Sequence, residues 1–333
     1  MLSLGSASQC GAIVKKPESR RSYAERLETR IEMNTPLGRV GYSGSLPTVV
    51  LGLVITVTLA NGSFSIPGQT GPNRTSHSRD ALSADAREMV ELASGVVCKE
   101  RIGDPRGSVP IDEMQGRPSL PAQSPEAVAG VQRAQRLLPI ARNLVVISLR
   151  QLGKDYNLTG SKGYSVKIQR AIARVEAVKN IKPDVDSRDN ASVFLKTPHT
   201  IVFGTIFLAG LPSDEGIISV LAHELVHIGD GGEDGLTLIF RAVGNRASQL
   251  TGLKIQRQRA EELTCDMVGM LVARAYVSVT PSYEPLPRRI SRSLEHNCVD
   301  QDEGDDDHLS PRSTIRALLT LSPTLSRELV YGR

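Results

Sequence analysis

The residues best equipped for chemistry are His223, Glu224 and His227, in the run His223-Glu224-Leu225-Val226-His227. Histidines four apart on a helix lie about 40° apart around its axis, so both imidazoles can reach one metal ion. Glu224, one residue on, can set its carboxylate beside a metal-bound water without ligating the metal. Zinc lowers the pKa of that water toward about 7, and a carboxylate so placed can take its proton as the hydroxide attacks a carbonyl. The chemistry implied is peptide-bond hydrolysis with one Zn2+ per chain, His223 and His227 as ligands and Glu224 as general base.

A catalytic zinc needs a third protein ligand and an open fourth position. The continuation that would supply a third histidine is missing, because Asp230 and Glu233 stand where Gly and His would fall. The stretch Arg259–Ala275 has helical apolar spacing at Leu263, Met267, Met270 and Leu271, and Glu262 and Asp266, four apart, share one of its faces. Glu262 is the expected third ligand and Asp266 the expected hydrogen-bond partner of a ligating histidine. Glu261 is the nearest competitor, Glu233 a further one, and the bland alternative makes Glu262 and Asp266 solvated helix charges.

The helix presenting the histidines is legible in the sequence. Ser213-Asp214-Glu215 gives an acidic start with Ser213 as N-cap, and Gly229-Asp230-Gly231-Gly232 supplies the stop. Between them Ile217, Ile218, Val220, Leu221, Leu225, Val226 and Ile228 make the segment apolar on nearly all sides, so it is expected to be buried. Three buried polar side chains are costly unless something satisfies them, and zinc would. A pair of satisfied core histidines is the alternative. Upstream, a long helical pattern begins at Pro125 and is expected to bend at Pro139; a second helix is expected at Ser165–Lys179, and two strands around Ser192–Lys196 and Thr200–Leu208. The fold class expected is α+β, mainly helical with a small β-sheet.

Together these residues resemble the gluzincin metallopeptidases typified by the bacterial HtpX protease and the CAAX prenyl protease (peptidase family M-forty-eight). The resemblance covers roughly residues 125–320. It rests on His223-Glu224-Leu225-Val226-His227 with the downstream Glu262-Leu263-Thr264-Cys265-Asp266. Asn190-Ala191-Ser192-Val193-Phe194 and Thr200-Ile201-Val202-Phe203 look like the family's two strands, and His308-Leu309-Ser310-Pro311 like its C-terminal histidine segment. The resemblance implies a zincin-like domain whose edge strand flanks the metal helix. It further implies an extended peptide or unfolded protein as substrate, pairing with that edge near Thr200, Val202 and Phe203, and His308 as stabiliser of the tetrahedral oxyanion.

The rest of the 333-residue chain frames this domain. Residues 1–60 form a basic tail followed by the uncharged run 46–60, which fits the apolar region of a secretory signal if translation starts at Met33. Export to the cell envelope is the expectation; a retained anchor, giving membrane association through residues 46–60, and a buried strand are the alternatives. Residues 61–124, rich in Gly, Pro and Ser, read as a linker or pro-segment with a helical candidate at Ser83–Val97, and 125–333 as the catalytic domain. No nucleic-acid partner is expected: aromatics are 4 %, tryptophan is absent, and 40 basic against 36 acidic residues leave no strong field. Four cysteines, without a CxxC pair, allow a Cys98–Cys298 bridge in an oxidising compartment. Two other function classes remain: a zinc-bound but proteolytically inert homologue serving as an envelope binding or scaffold module, and an interaction protein whose motif is coincidental.

Overall fold

The computed structural model describes residues 82–99, 109–110, 118–188, 190–194, 196–210, 213–232, 235–294, 297–300 and 303–332. The expectations for the basic tail, Met33, the run 46–60, Cys10 and Glu233 lie outside the described residues. In chain order the elements are α1 (Ala84–Lys99), β1 (Val109–Pro110), α2 (Pro125–Asp155), α3 (Tyr164–Ala177), β2 (Asn180–Asp184), β3 (Ala191–Val193), β4 (Thr200–Gly204), α4 (Thr205–Gly210), α5 (Asp214–Asp230), α6 (Thr237–Thr251), α7 (Gln258–Val279), α8 (Leu286–Leu294), β5 (Val299–Asp300), α9 (Pro311–Leu321) and α10 (Pro323–Tyr331). The class is α+β, mostly helical with a small mixed sheet.

Helix α5 lies at the centre because its sequence leaves no polar face to turn outward. It packs on α7, α2, α3 and α8, and Ile217, Ile218, Leu221, Leu225 and Val226 are fully buried. Its ends form as the capping chemistry requires. The Ser213 hydroxyl accepts the Gly216 N–H at 3.2 Å, and Gly231 closes the C-terminus in the left-handed region at φ 64°. In its first turn Glu215 is buried and accepts from Arg289 Nε at 2.6 Å, while the same guanidinium donates to the carbonyls of Val277 and Thr280. Arg289 thus ties the start of α5 to the end of α7, and removing one partner of such a buried pair costs about 3–5 kcal/mol. Where α5 and α7 cross, a Cβ on Gly269 would stand 2.7 Å from the Ser219 carbonyl oxygen, so only glycine permits the approach.

Helix α2 is capped by Ser124, starts on Pro125 and continues through Pro139 as one 31-residue helix. The sheet has the order β2-β4-β3, with β2 parallel and β3 antiparallel to β4. β2 carries Pro183, which an edge strand tolerates. The strand expected to run to Leu208 stops at Gly204, because the Arg188 carbonyl takes the N–H groups of Ile206 and Phe207 and turns the chain into α4.

This order overturns one expectation. Thr200, Val202 and Phe203 belong to the central strand, paired on one side with Asn180, Lys182 and Pro183; on the other side Val202 and Phe203 stand opposite Ser192 and Ala191 of β3, and Phe203 is fully buried. A strand whose backbone is engaged on both sides has nothing left to offer a substrate, so these three residues are not a peptide-binding edge. The edge strand beside α5 is β3.

The stretch 61–124 contributes α1, which buries Val90, Ala93 and Val97 against α8, α9 and α10. A disulfide joins Cys98 at its end to Cys298, 200 residues later, and β1 pairs with β5 just beyond, Val109 opposite Val299. Among the described residues no helix is long and apolar enough to cross a membrane.

Candidate metal centre

α5 and α7 bring the chemistry-bearing side chains to one point. Nε2 of His223 and Nε2 of His227 are 3.1 Å apart, and Oε2 of Glu262 lies 3.3 Å from each. A tetrahedral metal with bonds of 2.0–2.1 Å would set its ligand atoms about 3.3–3.4 Å from one another. The triangle therefore has the dimensions of one face of such a site, before any ion is placed in it.

The back nitrogens fix the rings. Nδ1 of His223 donates to Asp266 at 2.8 Å, and Nδ1 of His227 donates to Glu261 at 2.9 Å; because a carboxylate only accepts, each ring keeps its Nε2 lone pair toward the shared point. Glu262 is thus the glutamate brought to the centre, and Glu261 acts behind it as the partner of His227. Asp266 takes the place expected of it behind His223.

The charge balance also calls for a cation. Burial opposes charge on His223, but Asp266 and Glu262 outweigh it and raise its pKa well above the ordinary value. For His227 burial likewise opposes, and the Glu261 and Glu262 carboxylates carry the pKa well above 6.5. Burial works against the Glu262 carboxylate too, yet the two imidazoles hold it far below the usual range. Several carboxylates in so dry a place need positive charge, which protons on the rings or a divalent metal can provide.

A second donor combination is His223, His227 and Cys265. The Cys265 sulfur lies 3.8 Å from His227 Nδ1, on the side that Glu261 already occupies, and not where the Nε2 atoms converge. Burial pushes the thiol's pKa up, away from the thiolate that would ligate. The set with Glu262 fits a metal better.

A cleft of about 210 Å³ opens on this centre and leaves room for a fourth ligand and a substrate. Glu224, 6 % exposed, lines it beside His223. Asn190 and Ala191, where β3 begins, form one wall; Asn297 and His308 form another. His308 Nε2 lies 3.7 Å from Glu262 Oε2, so the C-terminal histidine does reach the centre.

Two contributors escaped the sequence reading. Asn297 carried no motif. Asp305 sits in an acidic run that composition alone marks as a solvated loop or, less readily, a calcium loop, yet its Oδ1 accepts from the backbone N–H of Asp307 and His308 and from His308 Nδ1. The signal was local: an aspartate accepting from the second and third N–H groups after it is an ordinary turn device, here ending on His308. No protein-family model, curated protein or solved structure matches the chain.

Proposed function

We propose that the chain is a zinc-dependent endopeptidase of zincin-like architecture, in keeping with the gluzincin resemblance of its motifs. The observation that carries this reading is the triangle of His223 Nε2, His227 Nε2 and Glu262 Oε2 with edges of 3.1, 3.3 and 3.3 Å, opening on a cleft that Glu224 also lines. A binding module would need the three ligands but not the carboxylate beside them.

Zinc held there would supply a Lewis acid for the carbonyl oxygen and acidify a water at neutral pH. The chain's own residues do the rest. Glu224 takes the proton of the attacking water on its carboxylate and delivers it to the nitrogen of the leaving amine. Asp266 and Glu261 keep both rings in the Nδ1–H tautomer. His308 directs Nε2 into the cleft, and a proton on that nitrogen would be donated as a hydrogen bond to the oxygen that gains charge. An extended peptide adds to the β3 edge, where backbone pairing tolerates varied sequence. The Cys98–Cys298 disulfide supports an exported protein, since such bridges persist in oxidising compartments.

The test is metal content and cleavage of labelled casein by the full-length chain, wild type beside Glu262→Ala and Glu224→Gln. The wild type is expected to hold about one zinc per chain and to cleave. Glu262→Ala should lose most of the metal, and Glu224→Gln should keep it while turnover falls about 100-fold or more. A wild type that takes up no zinc would sink the reading, and one that binds zinc without cleaving would make the protein a binding module.

A further inference from the structure

His308 is 58 % exposed at its side chain, and an imidazole so open to solvent would ordinarily sample many orientations. Here the surrounding loop removes that freedom. Asp305 Oδ1 accepts the His308 backbone N–H at 2.7 Å and the Asp307 N–H at 2.8 Å, and lies 3.1 Å from His308 Nδ1. The Asp305 N–H donates back to the His308 carbonyl at 3.1 Å. Gly304, at φ 76°, is pressed on by the backbone of the same loop: a Cβ there would meet Ser310 N at 2.6 Å and the His308 carbonyl oxygen at 2.8 Å. Finally, Arg259 donates Nε and a terminal nitrogen to the Asp305 carbonyl. Arg259 stands one turn before Glu262 on α7, so the loop is registered to the helix that supplies the third ligand.

We propose that Asp305 is a positioning residue that acts through Nδ1 of His308, fixing the ring so that Nε2 faces the cleft beside Glu262, with Gly304 and Arg259 holding Asp305 in place. The role in turnover rests on the endopeptidase reading; the orientation of the ring does not. Surface pairing alone does not account for the arrangement. An exposed carboxylate–imidazole contact contributes little to stability, whereas this one is built from a tight left-handed glycine, two backbone acceptances and an anchor to a second element. What it secures is direction. With Nδ1–H committed to Asp305, the ring's remaining nitrogen is the one 3.7 Å from Glu262 Oε2.

Two readouts on the full-length chain test this. The first is the hydrogen bond at His308 Nδ1, read as an exchange-protected Nδ1–H resonance in proton–nitrogen NMR spectra of histidine-labelled protein, with the signal assigned by its loss in His308→Gln. The wild type is expected to show this resonance, whether or not Nε2 also carries a proton, and Asp305→Ala to lose it to solvent exchange. Asp305→Asn keeps an oxygen acceptor for the turn and for Nδ1, so it should restore the resonance. The second readout is casein cleavage by the zinc-loaded chain. Asp305→Ala should lower kcat roughly tenfold or more with KM within about twofold, and adding it to His308→Gln should cost nothing further, because both remove one device. A wild type without the protected Nδ1–H, or an Asp305→Ala variant that keeps it, overturns the proposal. So does a kcat loss that adds in full to that of His308→Gln. A wild type that fails to cleave refutes the endopeptidase reading, while the Nδ1–H resonance still decides whether Asp305 orients the ring.

Discussion

At the residue scale the centre is two layers deep. His223, His227 and Glu262 face the shared point, and Asp266 and Glu261 stand behind the histidines. An outer carboxylate holds a ring's tautomer and raises its basicity, and its loss typically costs about 10–100-fold in metal affinity. Asp266→Ala is therefore expected to weaken zinc binding by roughly that factor while the far-ultraviolet circular dichroism stays unchanged; equal affinity in a competitive chelator titration would show that Asp266 is only a helix charge. The spacing of His223, Glu224 and His227 was enough to name them, because a helix fixes which neighbours share a face. Between Glu261 and Glu262 the sequence favoured Glu262, which shares a face with Asp266, but left Glu261 as a competitor. They are adjacent, and only the rotation of α7 against α5, set by contacts such as Gly269 on Ser219, decides which of them meets the Nε2 atoms.

At the scale of elements the sheet teaches the sharper lesson. Both strands flanking the metal helix could be seen in the sequence, but their order could not, since the third strand, β2, was not read as a strand; it is short and carries Pro183. Once β2 takes one side of β4, the open edge moves to β3. Asn190 gives its carbonyl to Gly204 N in β4, so by alternation Ala191 and Val193 turn their backbone groups away from β4. Val193→Pro removes an outward N–H that an added strand would use and leaves the ladder with β4 intact. It is expected to abolish casein cleavage with zinc content and thermal midpoint near wild type, whereas Phe203→Pro, in the buried central strand, should fail to fold. Undiminished cleavage by Val193→Pro would remove β3 from the substrate path.

At the scale of the molecule, α1 and the segment before His308 are joined although 200 residues separate Cys98 from Cys298. Closing so long a loop restricts the unfolded chain, and the loop-entropy relation sets the gain at about 5 kcal/mol, with 2–4 kcal/mol typical of real bridges. Reduction by dithiothreitol, or Cys98→Ser, is expected to lower the melting temperature by several degrees. Because Asn297 adjoins Cys298 and lines the cleft, cleavage should become heat-sensitive in the same variant. A melting temperature unmoved by reduction would mean that the contacts of Val90, Ala93 and Val97 hold α1 without the bridge.

The sequence by itself determined what depends on neighbours along the chain: the capped helix α5, apolar on nearly all sides, the histidine pair and glutamate on it, the face shared by Glu262 and Asp266, and the helical weight of an α+β fold. Helical periodicity and capping are local, so local residues suffice to state them. Tertiary structure alone decided which strand is the edge, which of two adjacent glutamates faces the imidazoles, and that Asp305 in an acidic run orients His308. It also decided that α1 belongs to the packed core. Each of these depends on which surfaces meet across tens or hundreds of residues, and that is settled by the packing of the whole molecule.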